Sequence, residues 1–160
     1  MRLDDRDIEI MRLLSKEGRM TKAELAERIN LSATPAWERL RRLEEHGLIE
    51  GYHAKISLKA LGGHVTIFVA VELEAHKAHD FERFETAMHA YAEVRHCWAL
   101  GGGYDYFVNV LAKDINAYQE FMDDILARDL GVARYYTYIV TKEVKSSDGF
   151  PFELMMRDVE

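Results

Sequence analysis

Apolar residues in the first fifty positions recur at helical spacing. Leu3, Ile10, Met11 and Leu14 share one face with Asp7, and Gly18 ends the segment. Thr21-Lys22-Ala23-Glu24 has the form of a capping box, in which the threonine hydroxyl accepts from the Glu24 N–H while the glutamate reaches back. Leu25, Ala26 and Ile29 carry an apolar stripe up to Asn30-Leu31. Ser32 is placed to cap a third helix, with Pro35 tolerated in a first turn whose N–H groups lack helical partners. Ala36, Leu40 and Leu43 form the buried stripe of that helix, and Gly47 is its stop.

The period changes in the second half. Val65-Thr66-Ile67-Phe68-Val69-Ala70-Val71 is a β-branched run suited to a buried strand. Phe81, Phe84, Met88 and Tyr91 then lie at i, i+3, i+7 and i+10, predicting a helix over 80–91. Strands are predicted over 94–100 and 104–111, joined through Gly101-Gly102-Gly103 because glycine accepts the positive φ of a tight hairpin. Asp114 is placed to cap a helix with the stripe Ile115, Tyr118, Phe121, Met122, Ile125 and Leu126, and Gly131 precedes a last strand over 132–144. The order βαββαβ is the ferredoxin-like split βαβ arrangement. The expected fold class is α+β: an N-terminal helix-turn-helix domain, winged-helix-like, over 1–50, a connector over 51–63, a ferredoxin-like βαββαβ domain over 64–145 and a tail over 146–160.

Charge sharpens this division. The net charge of −7 is uneven: residues 1–60 balance to +1 and residues 61–160 to −8. The global field repels DNA, so any DNA contact must come from a local basic face. The single cysteine, Cys97, cannot form an internal disulfide, which fits a reducing cytosol, and its place in a strand makes packing its default role. The longest apolar-rich run, 65–71, is far below the roughly 20 residues of a membrane span, and no apolar stretch follows the first residues as a signal peptide requires. A cytoplasmic protein is expected. No nucleophile–base pair or paired carboxylates emerge, and His76, His79 and Asp80 lack a fourth ligand and read as a solvated cluster. No enzyme, metal or cofactor is therefore expected.

A capped helix, a short turn and a second helix match the DNA-binding helix-turn-helix. On the third helix Thr34, Glu38, Arg41 and Glu45 point outward, with Trp37 and Arg42 on the flanks. Arginine suits guanine bidentately in the major groove, although Glu38 and Glu45 dilute the face and a merely solvated surface is the competing reading. The run Leu31-Ser32-Ala33-Thr34-Pro35-Ala36-Trp37-Glu38-Arg39-Leu40, with Leu3-Asp4, Asp7, Leu43-Glu44-Glu45-His46-Gly47-Leu48-Ile49 and Gly51-Tyr52, closely resembles the leucine-responsive/asparagine regulator (Lrp/AsnC) family of transcription factors. In the second half the matching residues are Gly102-Gly103-Tyr104-Asp105-Tyr106, Gly131-Val132, Thr137-Tyr138-Ile139-Val140 and Glu143-Val144-Lys145. The resemblance runs from Leu3 to Lys145, and the chain after Ser147 departs from the pattern.

The resemblance implies a sequence-specific regulator of amino-acid-related metabolism that binds double-stranded DNA. It also implies a small effector such as an amino acid, and assembly into homodimers and on to tetramers or octamers. It makes Ser32, Thr34, Pro35, Glu38, Arg41 and Arg42 candidates for contact with DNA, divides Arg39 between an intradomain ion pair and a phosphate, and leaves Trp37 to packing. Gly101, Gly102, Gly103, Tyr104 and Asp105 are not a dinucleotide fingerprint, since no helix opens after them. They read either as a tight hairpin with a structural carboxylate or as part of an amino-acid pocket, where glycine N–H groups meet a carboxylate and Asp105 an ammonium. Thr137, Tyr138 and Val140 match effector-response positions, and strand alternation puts Tyr138 and Val140 on one face, apart from Thr137. The alternative function is a ferredoxin-like small-molecule-binding or enzymatic domain without DNA binding.

Overall fold

Three helices build the first unit: α1 (Asp5–Lys16), α2 (Lys22–Arg28) and α3 (Ala33–Glu45). The computed structural model describes residues 2–147 and 149–155, and the chain divides into Met1–Ile56 with Val144–Glu160 and, between them, Ser57–Glu143. Asp4 caps α1, its carboxylate accepting from the Arg6 and Asp7 N–H groups while Asp7 accepts from the Asp4 N–H. Thr21 and Glu24 form the capping box of α2. Asn30 then adopts φ 52°, and the Asn30 and Leu31 N–H groups bond Glu27 O and Ala26 O. This closes α2 in a Schellman motif and produces the turn into α3. Gly47, at φ 69°, ends α3 the same way, with Leu48 N–H on Leu43 O.

The core of this unit is the expected stripe, Ile10, Met11, Leu25, Ala26, Ile29, Ala36, Leu40 and Leu43, together with Phe152. Residues 144–147 and 149–155, including the short helix α7 (Phe152–Met155), belong to this unit despite their distance in sequence.

The second unit contains α4 (Leu58–Leu61), β1 (Val65–Leu73), α5 (Ala78–Ala90), β2 (Val94–Ala99), β3 (Tyr106–Ala112), α6 (Ile115–Ala127) and β4 (Val132–Ile139). The sheet order is β2-β3-β1-β4 with every neighbouring pair antiparallel, which is the split βαβ topology. Ile67, Val69, Val71 and Leu73 alternate onto one face and pack with Phe84, Met88, Phe121, Met122 and Ile125 of the two long helices. Three expectations change in detail. Ile115 and Leu126 are exposed ends of the α6 stripe rather than core. β3 starts at Tyr106 instead of Tyr104, because Asp105 still belongs to the turn. β4 ends at Ile139 rather than 144: Val140 N–H reaches Thr66 O, and β1 offers only Val65 beyond it.

Candidate functional site

The exposed side of α3 is the candidate nucleic-acid face. Ser32 occupies the N-cap with extended backbone, yet its hydroxyl makes no capping bond. Pro35, third in this helix, has no N–H, so one of the two donors from which a cap accepts is missing. The N-terminus of a thirteen-residue helix is left with the Ser32 and Thr34 hydroxyls and first-turn N–H groups directed outward. Arg41 has a side chain 67% exposed and is paired with Glu45, one turn on. Lys22 lies 3.3 Å from the ring centre of Trp37, so the tryptophan is covered by a neighbouring cation as well as by packing.

Arg39 and Arg42 are engaged differently. Asp7 is fully buried, and its carboxylate accepts from Arg39 Nη1 at 2.8 Å and from Arg42 Nη2 at 2.8 Å. Arg39 also reaches Asp4 at 2.7 Å, and this hydrogen bond is the foremost reason its guanidinium is held more firmly protonated than usual. The two arginines thus clamp α3 onto the start of α1. Asp7 fell on an otherwise apolar face in the sequence, and that buried carboxylate was the available signal for an arginine partner.

The turn in the second unit is built around Asp105. Its N–H donates to Val71 O at 2.9 Å, its carbonyl accepts from the Leu100 N–H at 2.8 Å, and its carboxylate accepts from the Leu73 N–H at 2.8 Å. His76 Nε2 stands 3.1 Å from the same carboxylate. Asp105 therefore locks the hairpin to the end of β1, with one side facing an exposed histidine. The glycines do not serve the purpose expected of them. Gly101, Gly102 and Gly103 are absent from the positive-φ residues, and a Cβ at any of the three would meet no atom within 4 Å.

Tyr104 carries the turn to β4, its ring 5.6 Å from that of Tyr136. Tyr138 lies on the same sheet face as Tyr136, stacked at 6.3 Å on Phe107, which in turn lies 5.6 Å from Phe68. Thr137 points the other way, its hydroxyl bonded to Tyr118 of α6. Val140 lies just past the strand. Tyr136 and His76 thus join the turn, although sequence reasoning gave neither of them to it; the i, i+2 spacing of Tyr136 and Tyr138 was the signal. With Trp98 stacked on His96, the face opposite the helices carries exposed Trp98, Tyr136 and Tyr138 beside half-buried Phe68 and Phe107.

Cys97, on the helix-facing side of β2, is a half-buried thiol pushed up to about 11 by desolvation and then by Glu85. No group of three or more His, Cys, Asp and Glu side chains among the described residues is arranged to hold a metal. No helix among them is long and apolar enough to cross a membrane.

Comparison with known proteins agrees with both halves of this geometry. Residues 3–50 match a winged helix-turn-helix DNA-binding model, and residues 66–150 match the Lrp/AsnC ligand-binding domain. The chain is 50% identical to the transcriptional regulatory protein DoeX of Halomonas elongata, over 91% of this chain and 92% of that protein. It is 37% identical to the leucine-responsive regulatory protein of Escherichia coli, over 91% and 89%. Among solved structures, a Neisseria meningitidis transcriptional regulator crystallised with L-methionine superposes with a TM-score of 0.90 at 32% identity, covering 96% of this chain and 99% of that one. An AsnC family regulator of Agrobacterium tumefaciens superposes at 0.89 with 27% identity, over 96% and 99%. With a helix-turn-helix unit at one end and a ligand-binding unit in the middle, this chain is a DNA-binding transcriptional regulator that belongs to the Lrp/AsnC family.

Proposed function

We propose that the chain controls genes of amino-acid metabolism in the cytoplasm, and that a free amino acid changes its affinity for DNA. The observation that carries the effector reading is the glycine turn. Three successive glycines have open space where each Cβ would stand and no positive φ to require them. Their value then lies in letting something from outside approach the backbone N–H groups, as an α-carboxylate would. Asp105, half-buried and anchored to Leu73, offers a fixed negative charge to an α-ammonium. Tyr104 and Tyr138 would line the side-chain end of the pocket, with Val140 at its margin. Thr137 would act from behind the sheet by holding Tyr118. The crystallised complex of the Neisseria meningitidis relative makes L-methionine the first amino acid to try.

On the DNA side, Ser32, Thr34, Pro35, Glu38 and Arg41 would meet the duplex at the start and outer face of α3, while Arg39 and Arg42 would hold that helix in place from Asp7. A helix-turn-helix reading paired half-sites needs at least two copies. The face bearing Phe68, Phe107, Tyr136, Tyr138 and Trp98 is apolar enough to seat a second copy of the same face, as a two-fold interface requires. Higher assembly to tetramers or octamers would build on such dimers. Such regulation would be non-catalytic, carried by binding alone.

The test is a thermal-shift screen over the twenty amino acids, beginning with L-methionine, followed by mobility shift on the DNA upstream of its own gene. A ligand bound only by the folded state raises its melting temperature as RT ln(1 + [L]/Kd). A shift that Gly102→Leu abolishes supports the pocket; none among the twenty removes it. A sedimenting monomer at micromolar concentration would remove the dimer.

A further inference from the structure

The segment that follows Ser147 is not a loose end. Phe152 is 8% exposed and sits in the same cluster as Ile10, Met11 and Leu43 of the DNA-binding unit. Phe150 packs on it with ring centres 4.9 Å apart, and the two rings line one apolar groove with Leu3, Met11, Leu14 and Ile49. Gly149 makes the approach possible. Its φ is +100°, and a Cβ there would stand 2.9 Å from Lys16 Cγ and 3.0 Å from Ser15 Oγ in the last turn of α1. The Phe150 N–H donates to that same Ser15 hydroxyl at 3.4 Å. A left-handed glycine, a backbone bond and a buried aromatic therefore act together on one helix.

We propose that residues 149–155 are a working part of the DNA-binding unit: a docking segment whose seat on α1 sets the unit's affinity for DNA. The seat is on the helix that Asp7 clamps to α3, so loss of Phe152 opens the core beneath α1 and loosens the helix that presents Ser32, Thr34 and Arg41. The route matters too. The chain leaves this unit near Ile56, forms the whole ligand-binding unit, and re-enters near Val144. The ligand-binding unit is thus covalently bracketed by two pieces of the DNA-binding unit.

The experiment uses the full chain with Phe152→Leu, Phe152→Val and Phe152→Ala, and separately Gly149→Val. Affinity is measured for the duplex upstream of its own gene, with amide exchange followed in α1 and in β1–β4. Protection in α1 and DNA affinity should fall together in the order leucine, valine, alanine, with the alanine variant weaker by roughly tenfold or more. Gly149→Val should resemble the alanine variant, and exchange in β1–β4 should not change. Phe152→Leu keeps an apolar anchor, so the series stays readable if alanine unfolds the unit. Unchanged DNA affinity alongside lost α1 protection, or α1 protection indifferent to all four substitutions, overturns the proposal.

Discussion

Replacing Asp7 by alanine removes a carboxylate shared by two guanidiniums, each with a nitrogen 2.8 Å away, at a site with no solvent exposure. Removing one partner of a buried ion pair costs roughly 3–5 kcal/mol, because the remaining charge is left without compensation. Arg39 keeps Asp4 at 2.7 Å and the Arg42 side chain is 42% exposed, so the lower end, about 3 kcal/mol, applies. Asp7→Asn keeps the shape and one acceptor but not the charge, and should cost roughly 1.5–3 kcal/mol, the worth of one charge-assisted hydrogen bond. The chain has two tryptophans, Trp37 and Trp98, one in each unit. In a Trp98→Phe background, Trp37 fluorescence during thermal unfolding reports on the first unit alone. A loss of about 3 kcal/mol corresponds to a fall of roughly 12–24 °C for a unit of this size. Arg42, released from Asp7, also becomes available to a phosphate, so the dependence of DNA binding on salt should steepen by about 0.9 in log–log slope for that new contact. An Asp7→Ala unit that melts with the parent, at unchanged salt dependence, would refute the clamp.

Arg41→Ala should weaken binding to the regulator's own DNA by about 1–3 kcal/mol and relax preference at one base pair if it reads a base; an equal loss on every sequence would assign it to phosphate. Asp105→Ala leaves the Leu73 N–H without its acceptor and should destabilise the second unit by roughly 1–3 kcal/mol in chemical denaturation. Asp105→Asn retains an acceptor and tests charge alone: its melting should stay close to the parent's while the amino-acid-induced shift is lost. Cys97 should react slowly with a maleimide at pH 8 in the folded chain, since burial pushes its thiol up to about 11. Because the folded value is raised, this contribution to stability is fully present below the unfolded thiol's value, near 8.5, and is lost as pH rises through about 11; an alkaline unfolding curve unchanged by Cys97→Ala would contradict it.

Periodicity made most of the fold legible. Ala36, Leu40 and Leu43, or Ile67, Val69 and Val71, are placed by spacing alone, because one buried face imposes its repeat on the chain. The capping box of α2 was readable for a similar reason: Thr21 and Glu24 meet within one turn. What escaped was decided at long range or by missing donors. Ser32 loses one of its two capping donors because Pro35 lacks an N–H, a detail of position within one turn. The capture of Arg39 and Arg42 depends on Asp7, more than thirty residues earlier. The expectation of positive φ at Gly101–Gly103 rested on hairpin habit, whereas Leu100, Val71 and Leu73 hold the turn through Asp105. Phe152 carries no local periodicity at all, since its seat is made by residues at the other end of the sequence.

The most direct test of an amino-acid-responsive regulator is a fluorescence-anisotropy titration of the duplex upstream of its own gene, with and without each of the twenty amino acids at millimolar concentration. At least one amino acid should change the apparent Kd by about fivefold or more, a coupling of roughly 1 kcal/mol, and Gly102→Leu should erase the change while leaving ligand-free affinity intact. Tight, specific DNA binding that none of the twenty alters would contradict the account.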